Sequence, residues 1–229
     1  NLVDHKLIHN DYADAIAQRR GNASSTTVTR YASTVEDIQN QIDRTLTVTD
    51  LFVNRGFVVD QTTETFVVDF DTVERLASRR VTHNADIINS RDATTQEVTV
   101  YQTDETGDPL SLEILNYQLI SNRIYDSQHN VLNQMIKTYD EEDGLLLDVQ
   151  EIRNLGFHSS GVSFRQIIAT YADSAQTEIV DIKVIDNSDI SSTGNVGTSI
   201  ITKHGDADAL TDGGVTVNAG YAIDRQTIT

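Results

Sequence analysis

Apolar and β-branched positions along this chain come in short runs separated by polar turns, never in the long 3.6-period stretches of a helical protein. Leu46–Phe52, Glu64–Phe70, Glu97–Tyr101 and Leu110–Leu119 are rich in β-branched and aromatic residues and read as strands. From residue 110 onward the pattern is most regular: a long strand, a tight polar turn, a second strand and a return loop. Val131, Met135 and Tyr139 fall at even spacing, as do Ile182, Val184 and Asp186, which places each set on one sheet face. Pro109, the single proline, sits in the turn signal TGDPL ahead of a strand, where it removes no ladder bond.

The runs obey a spacing rule. Asn154 is followed by Phe157 and closed by Tyr171. The same frame links Asn122 to Tyr125 and Tyr139, Asn84 to Ile87 and Tyr101, and Asn187 to Ile190 and His204; in these four the closing residue lies seventeen positions after the Asn. Asn54, Phe57 and Phe70 make a copy one residue short, and Asn218 with Tyr221 opens one that Thr229 cuts off. Residues 1–31 read as a loose first copy with Asn10 and Tyr31 twenty-one apart, through extra residues or misalignment, and with Arg19–Asn22 as its turn. The seventh position after each Asn is Gln61, Arg91, His129, Gly161, Gly194 and Arg225; with only two glycines there, the turn type is expected to vary or its conformational demand to be mild. Self-similarity at this period indicates a tandem array whose units bury their faces against neighbours.

Two stretches depart from the β pattern. Ser33 and Glu36 have capping-box spacing, and Val35, Ile38 and Ile42 share a helical face, so a short inserted helix is expected near residues 34–44. Asp71–Val81 admits a helical turn, though its short connection favours a plain loop. The organisation expected is a divergent first repeat plus helix over 1–45, two divergent repeats over 46–109, and regular repeats of about 33 residues over 110–229. The fold class is mainly β, with tandem hairpins stacked as a solenoid or spiral sheet.

Composition narrows the function. Seventeen basic against 35 acidic residues leave a net charge of −18, which repels nucleic-acid phosphates and anionic membranes. The absence of cysteine excludes disulfides and thiol chemistry. The apolar runs are too short to span a bilayer as helices. No serine-hydrolase elbow, zinc-protease, P-loop or dinucleotide motif is present. His5 and His9 have helical ligand spacing but no third ligand. The acidic groups Asp140–Asp143 and Asp206 with Asp208 are candidate calcium ligands; as solvated turn residues they would instead discourage edge aggregation. No catalytic residue, metal or cofactor is assigned.

NRIYDSQHNVL, around Tyr125 and Asp126, resembles the YD or RHS-type repeat, in which Tyr-Asp and two variable residues precede Gly, then Arg or Asn and an apolar residue. His129 stands in the Gly place, and Asn130 and Val131 match the tail; Gly194, Asn195 and Val196 match that tail in a later copy. The longer unit, with QEIRNLGF and QIIATYAD, is similar to repeats of giant bacterial surface proteins. The resemblance implies an extracellular or cell-surface array, structural rather than enzymatic, serving assembly or adhesion. A shell segment of a toxin-delivery protein and a β-helical carbohydrate-binding protein are the alternatives. The Asn column (54, 84, 122, 154, 187, 218) is expected to bond to nearby backbone, or to ladder between units, rather than to hold ligand. The aromatic columns (Phe57, Tyr125, Phe157 and Tyr221; Phe70, Tyr101, Tyr139 and Tyr171) are expected to fill the layer between units. Partners are expected to be self-association, or continuation of the chain, through open β edges; the start at Asn1 and stop at Thr229 suggest a segment of something longer.

Overall fold

A computed structural model describes residues 5–53, 56–89, 91–104, 106–205, 209–211 and 216–229. It is mainly β, 63% strand against 6% helix, and antiparallel. Asn54, Asp206 and Asp208 lie outside the described residues. The chain forms two compact units, residues 1–117 with 140–142, and residues 118–139 with 143–229.

In the first unit β1 (His5–Asp11), β2 (Ser25–Tyr31), β3 (Gln41–Val53), β4 (Phe57–Val68), β5 (Glu74–Ile88) and β6 (Asp92–Gln102) pair in chain order, each antiparallel to the next. β7 (Glu113–Tyr125) carries the chain into the second unit. There β8 (Val131–Tyr139), β9 (Leu146–Phe157), β10 (Ser163–Tyr171), β11 (Ile179–Ser188) and β12 (Thr198–His204) pair in chain order, each antiparallel to the next. A two-stranded excursion, β13 (Leu210–Thr211) and β14 (Thr216–Val217), follows, and β15 (Ala222–Ile228) returns to pair with β12.

The apolar core is thin, and a contiguous buried cluster sits in the second unit. The even-spaced Ile182 and Val184 do share a face, and with Ile167 and Ala169 they are covered by Ala209, Leu210 and Val217 of the excursion. Beside this core, charge is satisfied by pairing. Glu151, nearly fully buried, accepts from Arg123 at 2.9 Å and from the Asn133 amide at 2.6 Å, with Arg153 at 3.2 Å. In the first unit Glu74 takes both Arg44 and Gln41, and the Arg44 guanidinium stacks 4.0 Å over the Phe66 ring.

The helix is not where its sequence signal pointed. Residues 34–44 hold a turn and the start of β3. The Ser33 hydroxyl accepts from the Val35 N–H, Asp37 accepts from both the backbone and the side chain of Asn40, and the Ala32 N–H closes the loop on the Asn40 carbonyl. Val35, Ile38 and Ile42 are all exposed, so a helical stripe there would have had nothing to bury against. The one α-helix among the described residues, α1, spans Ala15–Arg20, where Asp14 caps the Ile16 and Ala17 N–H groups and Gly21 ends it at φ 74°. Asp71–Val81 is neither helical nor a plain connection throughout: the Asp69 carboxylate holds a turn through the Asp71 and Val73 N–H groups, and from Glu74 the stretch is strand β5.

The hairpin turns share one geometry. His129, Gly161 and Gly194 donate their N–H groups to the carbonyls of Asp126, His158 and Ser191, and these in turn donate to the carbonyls of Asn130, Val162 and Asn195. All three donors have positive φ, 69°, 86° and 89°, as the three-residue hairpin with a left-handed bulge requires. The turn therefore does not vary among these copies; His129 adopts the same conformation as the glycines, at some cost. Arg91 makes the equivalent bond to Ile88 without positive φ, while Gln61 and Arg225 lie within strands. Opposite substitutions should have opposite effects: Gly161→Ala lowers stability by about 1 kcal/mol and His129→Gly raises it by up to about 1 kcal/mol, measured by urea denaturation.

Candidate functional site

The strand register turns the spacing rule into geometry. Asn84 pairs directly with Gln96, Asn154 with Gln166, and Asn187 with Ser199, each twelve residues on. The side chains bond across the strands. Gln96, Gln134 and Gln166 donate from Nε2 to the Oδ1 of Asn84, Asn122 and Asn154 at 2.7, 2.7 and 2.9 Å, and the Ser199 hydroxyl donates to Asn187 Oδ1 at 2.7 Å.

The other end of the amide reaches backward. Asn84 Nδ2 donates to the Val58 carbonyl at 3.0 Å, Asn154 to that of Val131 at 2.8 Å, and Asn187 to that of Ser163 at 3.0 Å. Each of these carbonyls belongs to the second strand of the preceding hairpin. One amide thus ties three strands, using its donor one way and its acceptor the other. The bond is to backbone and to a cross-strand side chain, not at a bend.

The same register extends the bridge to the earlier hairpins. In the β3/β4 hairpin Thr49 stands opposite Gln61, whose amide donates to the Thr49 hydroxyl at 3.4 Å, and Gly56 closes the turn on the Val53 carbonyl. Thr49 therefore holds the bridging place of this hairpin. Its closing aromatic, seventeen residues on, is Phe66, in register with Arg44; Phe70 lies fully exposed in the turn after β4. In the first hairpin Asn10 pairs with Thr26, whose hydroxyl donates to Asn10 Oδ1 at 2.7 Å, and Tyr31 closes opposite His5. The longer span of that hairpin is the insertion of α1 into its loop.

The closing residues Phe66, Tyr101, Tyr171 and His204 each face the residue five positions before the bridging one, namely Arg44, Arg79, Val149 and Ile182. Tyr139 ends β8 opposite Leu146. Tyr125 and Phe157 end their strands half-buried, whereas Phe57 begins one. Asn218 and Tyr221 open no further hairpin: Asn218 Oδ1 caps a short 3-10 turn through the Gly220 N–H, because the chain turns there to bring β15 onto β12.

Glutamine at the twelfth position after the Asn is a signal that reading the Asn and aromatic columns alone misses. The Tyr-Asp dipeptide also acquires a physical role. Asp126 Oδ1 accepts from the Gln128 and Asn130 N–H groups, and Oδ2 accepts from the Asn130 amide, so the carboxylate holds the turn. Ser191 does the same for the Asn195 N–H, and the His158 ring for that of Ser160. Asp140–Asp143 are exposed turn residues, and among the described residues no three His, Asp or Glu side chains converge as metal ligands. Comparison with family models and with curated proteins finds no match to this chain.

Two measurements test the site. Asn154→Ala strands a carbonyl and a glutamine amide, and should cost about 1–3 kcal/mol. A double-mutant cycle with Gln166→Ala should return a coupling of about 0.5–1.5 kcal/mol, read by chemical denaturation. The Asn130 amide and the backbone N–H groups of Asn130 and Gln128 hold Asp126 below the usual carboxylate range. The stability contributed by that carboxylate is complete above its unfolded value of about 3.9 and is lost as pH falls through the lower folded one. Thermal unfolding followed from about pH 5 to pH 2 should therefore show a flatter acid limb in Asp126→Asn than in the parent chain.

Proposed function

We propose that this chain is a structural, non-enzymatic segment or subunit of a bacterial extracellular fibre or cell-surface repeat protein, serving assembly or adhesion, with its hairpins stacked as a solenoid or spiral sheet. The observation that carries the reading is the backward reach of the bridging amide. A hairpin of this kind is satisfied only when another lies beside it, which is the defining property of an array. Side-chain donors spent on neighbouring backbone are not available to a substrate.

The edges point the same way. Among the described residues β1 pairs only with β2 and β15 only with β12, so each leaves one row of backbone groups open. Both edge strands expose isoleucines, Ile8 on β1 and Ile223 and Ile228 on β15. Such edges accept another strand by backbone hydrogen bonding, from a second copy or from more of the same chain. The net charge of −18 keeps a long polymer dispersed and opposes off-register stacking.

Sedimentation velocity over a range of concentrations, with electron microscopy of the largest species, tests the reading. Assembly should rise with concentration and with salt, which screens the acidic surface. Replacing Ile223 and Ile228 by lysine should suppress it. A chain that stays monomeric throughout, before and after substitution, is not the assembling segment proposed.

A further inference from the structure

The closing-aromatic column breaks at one place. Tyr31, Phe66, Tyr101, Tyr139 and Tyr171 are followed by His204, and the break coincides with the excursion that covers the sheet. His204 is only 3% exposed, and its buried Nδ1 meets no hydrogen-bonding group among the described residues. The Tyr221 backbone also engages the ring, and in the neutral tautomer protonated at Nε2 the buried Nδ1 is a bare acceptor. Burial, with the Arg165 charge nearby, favours that neutral form. An unpaired buried acceptor is costly and calls for an explanation.

A cavity of about 280 Å³ lies against this ring. Its floor is the covered face of the sheet, where Arg165 stands opposite Asp186 with their charged groups 3.5 Å apart, and Thr202 stands opposite Arg225. Its far wall is Val217 and Ala219 of the chain that follows the excursion. Among the described lining residues Asp186 offsets one of the two guanidinium groups and leaves the other unbalanced, in a chain of net charge −18. A guanidinium presents a planar fork of donors that matches a carboxylate.

We propose that this cavity binds a small carboxylate carrying a hydrogen-bond donor, a hydroxyl, ammonium or amide N–H, on the carbon next to the carboxyl group. Arg225 takes the carboxylate, the donor satisfies His204 Nδ1, and a short apolar body rests on Val217 and Ala219. The recognised chemistry occurs both in free hydroxy or amino acids and at the C-terminus of a peptide. This site is separate from the array function and stands or falls without it.

Titration of the isotope-labelled chain, followed by NMR, tests the assignment with lactate, alanine, N-acetylalanine and propionate. Propionate has the same body and carboxylate but no donor. At least one of the first three should saturate the shifts of residues around Arg225 and bind about tenfold more tightly than propionate, the worth of one hydrogen bond. The tightest of the three identifies the source, N-acetylalanine standing for a peptide end. Arg225→Gln, on an exposed edge strand, should abolish binding, and His204→Phe should reduce the best ligand to the level of propionate. Absence of saturation in the millimolar range, equal binding of propionate, or unchanged binding in Arg225→Gln would each overturn the proposal; the arginine variant decides it even if His204→Phe does not fold.

Discussion

Strand register is the constraint on which this structure depends, and a side-chain amide supplies it. A one-residue slip between strands exchanges every side chain between faces. A large core would forbid such a slip by burial alone, but few side chains here are deeply buried and most strand positions are only half-covered. The Asn–Gln bridge replaces that missing discrimination with hydrogen bonds that fit one register only. Each bond has a modest net worth, on the order of 1 kcal/mol, yet a broken one strands both partners. Specificity per bridge is therefore larger than stability per bridge.

The bridge also shows how a polar side chain can do the work of packing. In Asn84, Asn154 and Asn187 donor and acceptor point to opposite neighbours, so each amide spends one donor and one acceptor within the sheet. The Asp126 carboxylate behaves similarly in the turn, where it meets two backbone N–H groups and one amide. Turn and strand are thus locked by separate groups only a few residues apart. Thr49, which bridges through its own hydroxyl, and Asn10, which is met by the Thr26 hydroxyl, show that either side of the bridge tolerates a weaker group when the hairpin is otherwise defined.

The two units use different means around this shared frame. The first relies on arginine–carboxylate pairs across strands, with Arg44 bound to Glu74 and Arg79 to Glu64. The second adds an apolar cluster, Ile167, Ala169, Ile182 and Val184, which is buried only because the excursion folds back over it. That cover is also what creates the cavity beside His204. A departure from the repeat, in sequence and in structure, marks a stretch where the frame leaves room for chemistry of another kind.

Much of this was legible in the residues alone. Even spacing at Ile182 and Val184, the seventeen-residue frame and the Asn at its head are local patterns, because a hairpin is a local structure whose register follows from its own turn. The placement of the first copies was not legible. Thr49 bridges as Asn84 does, but nothing in its identity says so; only pairing with Gln61 reveals it. The helix is the same lesson reversed. Val35, Ile38 and Ile42 carry the helical period without a surface to bury it, while Asp14 and Gly21 cap a shorter segment that needs none. Sequence by itself determined the strands, the turns and their repeat, since these rest on backbone conformation and neighbouring side chains. Tertiary structure alone decided which carbonyl each amide reaches, which face the excursion covers and where His204 is buried, since those depend on residues distant in the chain meeting in space.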